Sequence, residues 1–257
     1  LLVLLPGAVA TGITEVALDM VPNSFDDQYL NCRDEMVKEL PMLNRSEMAT
    51  NPTYKDVWAE AAAMWHQPLG PLQRREEAIA LLAYTMANRG LYREFNAAVR
   101  KGGSFPWEYV DKFKFKVLHF LLTKALGDLR AAQSPPGCLH VYRGVRGIRF
   151  TAQPGQIIRF GQFTSCSLKK DKAKEFGTDT LFEVDTCHGA AIRDFSIKPE
   201  EEEVVIPPFE TFNVTSVTHQ GNRTLIQLSS HGVYSKYNCE WLRGDIPGVG
   251  TAMVGNG

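Results

Sequence analysis

Apolar residues recur at helical spacing through the first half of the chain and at strand spacing through the second. In "SFDDQYLNCRDEMVKEL", Ser24 is placed to cap a helix and Asp26 and Asp27 give it an acidic first turn. Tyr29, Cys32, Met36 and Leu40 follow at spacings of three and four. A helix starting at Ser24 is expected. The segments "TYKDVWAEAAAMW" and "RREEAIALLAYTMA" continue in helical composition, and "YREFNAAVRKGG" stops on Gly102-Gly103. One longer helix is expected over "PWEYVDKFKFKVLHFLLTKALGDL", with Pro106 near its first turn.

The pattern changes at "SPPGCLHVYRGV". Short alternating or β-branched runs then follow: "HVYRGV", "QIIRFGQF", "TLFEVDTC", "AAIRDF", "EVVIPP", "TFNVTSVT" and "TLIQLSS". One short helix, "KKDKAKEFG", interrupts them, and "THQGNRT" reads as a hairpin turn. The expected class is α+β, a helical N-terminal half packed on a mainly antiparallel β half.

Composition narrows the function classes. The chain has 257 residues, 44% hydrophobic and 22% charged, with a net charge of -1, so no electrostatic argument for nucleic acid or an acidic membrane arises. No apolar run is long enough for a transmembrane helix. The opening "LLVLLPGAVATG" ends its apolar part in Ala8-Val9-Ala10, so residues 1–10 are expected to be the remnant of a secretory signal. The closing "GDIPGVGTAMVGNG" lacks the hydrophobic tail of a lipid-anchor signal, so secretion is expected, with an anchor only if the chain is truncated. Asn44, Asn213 and Asn222 head glycosylation sequons. Five cysteines without a C-x-x-C pair argue against a compact zinc site and suggest two disulfides and one leftover thiol, with the pairing open on counting alone.

The chain has no dinucleotide glycine fingerprint, Walker loop, G-x-S-x-G or H-E-x-x-H, and its six histidines are scattered, so no metal site is expected. Nothing positively supports a protease built on Cys166. Three strands each carry one suggestive polar group. Arg143 lies inside the apolar "HVYRGV", where a charge needs a partner. Ser165 and Ser167 in "FTSCSL" share one strand face. In "KPEEEEVVIPPFETF" four glutamates abut an apolar run, most simply as a wet loop end. Glu201 and Glu203 would nevertheless share a face if the backbone there is extended.

Taken in order, these residues resemble the Arg-Ser-Glu signature of ADP-ribosyltransferases. The chain is similar to the vertebrate arginine-specific ecto-enzymes related to bacterial ADP-ribosylating toxins. The similarity runs through "SFDDQY", "ALLAYT", "EFNAAVR", "FKVLHFLLTKAL", "VYRGV", "FGQFTS", "EEEEVVIPPFETF" and "YNCEW", nearly the whole chain after the signal. It implies a two-sheet β core and one catalytic domain over 11–257, helical over about 20–130 and NAD-binding over about 136–245. It also implies transfer of ADP-ribose from NAD, a co-substrate and not a resident cofactor, to arginine on extracellular or secretory-pathway proteins by a monomer. A glycohydrolase using the same site and a catalytically silent binding protein are the alternatives.

By the same resemblance, Glu203 would stabilise the oxocarbenium-like transition state and bond the ribose 2′-hydroxyl, and Glu201 would orient and deprotonate the acceptor guanidinium. Ser165 would hold Glu203, and Arg143 would contact the phosphate and ribose region. Gly144 would admit the nicotinamide amide, and Phe176 would stack near the nicotinamide. Tyr84, Gln162, Ser196 and Lys198 are further NAD contacts, Lys198 standing where relatives often have arginine. Cys166 would point away from Ser165. The implied disulfides are Cys32–Cys239 and Cys138–Cys187, and Glu200 and Glu202 would remain solvated.

Overall fold

A computed structural model describes residues 12–243; the signal remnant expected over 1–10 and the closing residues 244–257 lie outside these residues. After one short strand come five principal helices: α1 (Arg33–Thr50), α2 (Pro52–Met64), α3 (Arg75–Thr85), α4 (Leu91–Lys101) and α5 (Lys116–Ala131). The strands are β1 (Thr14–Ala17), β2 (Leu139–Val145), β3 (Ile148–Thr151), β4 (Ile157–Arg159), β5 (Thr164–Ser167), β6 (Thr180–Thr186), β7 (Ala190–Ala191), β8 (Glu203–Ile206), β9 (Glu210–Gln220) and β10 (Arg223–Val233). Short helices α6 (Lys170–Glu175) and α7 (Glu240–Arg243) complete the set.

Eight strands form one sheet in the order β4-β9-β10-β6-β2-β5-β8-β7, with only β10 and β6 parallel. The expected two-sheet core takes the form of a pinch in this sheet. Strands β2 and β5 share a single pair, Tyr142 with Ser167, so five strands lie on one side of the junction and three on the other. Separately, β1 pairs in parallel with β3, a contact the local pattern did not suggest.

Two apolar cores flank the pinch. The larger joins the helices to Phe163, Ile192, Phe195 and Val205, while the smaller gathers Val141, Phe182, Phe212, Ile226 and Leu228. Strand β8 divides them, since Val205 belongs to the first and Val204 and Ile206 to the second. That two-faced burial explains an unbroken apolar run where a surface strand would alternate.

Two expected helices are shorter than their patterns. The chain from Ser24 to Cys32 is not helical, and α1 begins at Arg33. Ser24 caps nothing: its Oγ donates to the Gly161 carbonyl at 2.7 Å. Tyr29 and Asn31 take positive φ values of 55° and 66°, which a helix cannot accommodate. Asp26 and Asp27 are fully buried and accept the backbone amides of Lys236, Tyr237, Cys239 and Glu240. The segment expected over 106–129 is likewise broken: a single wide turn at Glu108–Lys112 leads into extended Phe113, and α5 starts only at Lys116. Its start is set by Glu47 of α1, whose buried carboxylate accepts the amides of Lys116 at 2.6 Å and Val117 at 2.9 Å. Glu47 thus does for α5 what a cap residue does locally.

The two chain ends are tied through Arg159 of β4. Its Nη1 lies 2.6 Å from Asp26 Oδ2, both side chains fully buried, and its Nη1 and Nη2 also donate to the carbonyls of Tyr234 and Val21. The Cys32–Cys239 disulfide closes the same knot, and Cys138–Cys187 joins the start of β2 to the end of β6.

Removing one partner of a buried pair leaves the other charge unpaired, at a cost of about 3–5 kcal/mol. Asp26→Asn should therefore lower the urea midpoint of the disulfide-intact protein by that equivalent, with the slope unchanged. A loss under about 1 kcal/mol would show that the pair does not hold the ends.

Candidate active site

The candidate groups converge on the pinch. With only one residue pair between β2 and β5, a side chain takes the place of the missing ladder, and Arg143 Nη1 donates to the Ser165 carbonyl at 2.7 Å. From the helical side, Tyr84 at the end of α3 donates its hydroxyl to the Phe163 carbonyl at 3.0 Å, and that hydroxyl lies 3.2 Å from Ser165 Oγ. Asn96 of α4 pairs with Phe163 twice, donating to its carbonyl at 2.9 Å and accepting its amide at 3.1 Å. Residues 163–165 are therefore fixed by two helices and one arginine. Asn96 was not singled out from the sequence. The one available signal was a lone amide beside the apolar positions Leu91, Phe95 and Val99 of α4, all of which are buried along with it.

Glu203 opens β8 opposite Ser167 and is 8% exposed. Burial pushes its carboxyl up to about 7. The Ser165 hydroxyl opposes the shift by hydrogen bonding, the Glu201 charge adds to it, and Arg143 and Lys198 oppose it. The carboxyl therefore titrates near neutral pH. Tyr84 is pushed up to about 12, first by burial and then by the Glu203 charge, so it remains a neutral donor beside Ser165.

Glu201 and Glu203 do not project from one extended strand, as their spacing suggested. Glu201 ends a 3-10 turn, Pro199–Glu201, and Glu202 adopts left-handed φ 47° and ψ 52° before β8 begins. Glu203 turns inward while Glu201 stays half-buried, with Lys198 Nζ 3.3 Å from its Oε1. Glu200 is exposed as expected, but Glu202 is half-buried, between Lys169 at 3.8 Å and Arg193 at 3.7 Å.

The remaining candidates surround this centre. A side chain at Gly144 would strike the carbonyls of Ala173 and Gly177, so glycine is needed there for the α6 segment to lie against β2. Phe176, at the end of α6, is 56% exposed and uncommitted to the core. The side-chain carbonyl of Gln162 accepts from Arg100, and Ser196 Oγ accepts the Lys198 amide at 3.0 Å. Cys166 faces the smaller core, away from Ser165; burial pushes its thiol up to about 12, so it is an inert packing group. Of the sequon asparagines, Asn222 is exposed at the β9–β10 turn and Asn213 is half-buried in β9. Asn44 lies in α1, its Oδ1 accepting from the Tyr54 hydroxyl at 2.8 Å.

Comparison with known proteins identifies the family and the fold. Residues 18–236 match the family described as NAD:arginine ADP-ribosyltransferase. The chain is 51% identical to NAD(P)(+)--arginine ADP-ribosyltransferase 2 of Gallus gallus, covering 96% of this chain and 80% of the relative. It is 50% identical to the GPI-linked NAD(P)(+)--arginine ADP-ribosyltransferase 1 of Mus musculus, covering 89% and 74%. The crystal structure of the eukaryotic mono-ADP-ribosyltransferase ART2.2 superposes with a TM-score of 0.73 at 36% identity, covering 87% of this chain and 98% of that one. A single-residue variant of that enzyme, solved with NAD, is equally similar at TM-score 0.73. The chain belongs to the NAD:arginine ADP-ribosyltransferase family.

The raised Glu203 pKa has a thermodynamic sign. The folded state favours the protonated acid, so Glu203 costs no stability below about pH 4.5 and an increasing amount as pH rises through about 7. Glu203→Gln removes that penalty. Its stability relative to wild type should rise between those pH values and level off above, by about 3 kcal/mol. Chemical denaturation of both proteins from pH 4 to 8.5 measures this; a difference independent of pH would mean that Glu203 is not held in this environment.

Proposed function

We propose that the protein transfers ADP-ribose from NAD to the guanidinium of arginine residues in proteins and releases nicotinamide. The observation that carries this reading is the buried Glu203 carboxyl at a break in the sheet, with the charges of Arg143 and Glu201 and the Ser165 hydroxyl acting on it. In the reaction the bond from ribose C1′ to the nicotinamide nitrogen breaks, and its electron pair neutralises the pyridinium. Positive charge develops on the ribose as an oxocarbenium-like species. A fixed carboxylate nearby stabilises that charge without reorganising, and Glu203 in its ionised form fills this role while bonding the ribose 2′-hydroxyl. Ser165, steadied by Tyr84, keeps Glu203 in place and favours its charged form.

The incoming arginine is protonated in its free state and a poor nucleophile. Glu201, two residues from Glu203 but turned outward, takes the guanidinium proton as nitrogen attacks C1′. Arg143 and Lys198 hold the anionic phosphates, and Lys198 does so without the two-pronged geometry of an arginine. Phe176 supplies a face for the nicotinamide ring, and Gly144, Gln162 and Ser196 complete the NAD cleft. Residues 11–257 act as one catalytic domain, a reading supported by the bonds from α3 and α4 to Phe163. Two disulfides suit an oxidising compartment, and among the described residues no helix is long and apolar enough to cross a membrane. Arginine-bearing proteins of the cell exterior or secretory pathway are the targets this supports.

Wild type and Glu201→Gln, incubated with NAD and a small guanidino acceptor, separate the possible activities. Wild type should yield ADP-ribosylated acceptor, and the variant should shift toward free ADP-ribose by about a hundredfold or more, the scale of losing a general base. Free ADP-ribose alone from both would make the enzyme a glycohydrolase, and no nicotinamide release from folded wild type would leave only a binding role.

A further inference from the structure

Ser167 has the most direct hold on the backbone that carries Glu201. It is the last residue of β5, is 5% exposed and lies in register with Glu203. Its Oγ donates to the Glu201 carbonyl at 2.6 Å and accepts the Lys169 amide at 3.0 Å. One residue on, the Leu168 amide donates to the Glu202 carbonyl at 3.1 Å. Together these bonds grip both peptides next to Glu202, the residue with φ 47°. A left-handed non-glycine residue is strained and persists only where its surroundings hold it. That turn sends Glu201 outward toward Lys198 while Glu203 goes inward.

Glu203 is positioned independently of this hydroxyl. Its strand is paired through Thr164 with Ile206 and Ser165 with Val205, and the Ser165 hydroxyl opposes the rise of its pKa from that neighbouring strand. Loss of the Ser167 hydroxyl therefore falls first on Glu201. Both outcomes of NAD cleavage break the same C1′–nitrogen bond and differ in the nucleophile. A guanidinium must surrender a proton to a placed base, whereas water can lose its proton to solvent after attack.

We propose that Ser167 is a positioning residue that sets the partition between transfer to arginine and hydrolysis of NAD, by clamping the left-handed turn that aims Glu201 at the acceptor. This rests on the reading of Glu201 as the acceptor's base. The test compares wild type, Ser167→Ala, Ser167→Thr, Glu201→Gln and the Ser167→Ala/Glu201→Gln double variant. Each is given NAD and a small guanidino acceptor, and adduct and free ADP-ribose are both quantified.

In Ser167→Ala the ratio of free ADP-ribose to adduct should rise roughly tenfold, on the scale of one lost hydrogen bond. The acceptor KM should rise more than the KM for NAD, and Ser167→Thr should restore the ratio. With Glu201 already replaced, the alanine should add no further shift. Should Ser167→Ala not fold, Ser167→Cys keeps the volume, weakens the bond and carries the same expectation. Adduct and free ADP-ribose falling in proportion, or an added shift in the double variant, would overturn the proposal while leaving arginine transfer standing. Wild type without adduct would overturn both.

Discussion

The buried pair between Arg159 and Asp26 is the constraint on which the rest of the structure leans. A guanidinium and a carboxylate without solvent access are tolerable only when both are saturated with partners. Here the partners are the backbones of the two chain ends, Val21 and Tyr234 on Arg159, and Lys236 and Tyr237 on Asp26. Strand β4, which carries Arg159, is the outer edge of the sheet, so the wrapped ends also cover that edge. The Cys32–Cys239 bond adds on the order of 5 kcal/mol in chain-entropy models for a loop of that size, and makes the knot covalent.

Against that rigid frame the sheet is left incomplete at one seam. A full ladder between β2 and β5 would satisfy the backbone and leave no gap for chemistry. One pair in its place exposes polar groups that Arg143, Tyr84 and Asn96 must answer from three different elements. The same arrangement removes Glu203 from water and holds its pKa near neutrality. Stability is surrendered at the carboxyl and recovered in the surrounding bonds, a division usual at functional sites.

What could be read from the sequence follows how local each cause is. The helices α2, α3 and α4, the stop at Gly102 and the turn around Gly221 depend on periodicity and turn chemistry within a few residues, and they stand where expected. Arg143, Ser165 and Glu203 were legible as a motif, and the fold brings them together. The failures have distant causes. The helix at Ser24 is lost because Asp26 and Asp27 serve amides up to 213 positions away. The break before α5 is made by Glu47, 69 positions earlier than Lys116. The left-handed turn at Glu202 is gripped by Ser167, 34 positions before the Glu201 carbonyl it holds. No window along the chain contains both halves of any of these bonds.

The disulfide between Cys32 and Cys239 also has a mechanical meaning. Tyr84, Arg143, Ser165, Glu201 and Glu203 all lie on the covalent loop that this bond closes. The covalent path from residue 12 to residue 243 runs past Asp26 and across the sulfur–sulfur bridge, so the backbone of the loop lies off that path. A cleft built at a weak seam in a sheet is thereby kept off the covalent line between the two ends, and reduction of that bridge would place the whole loop on it.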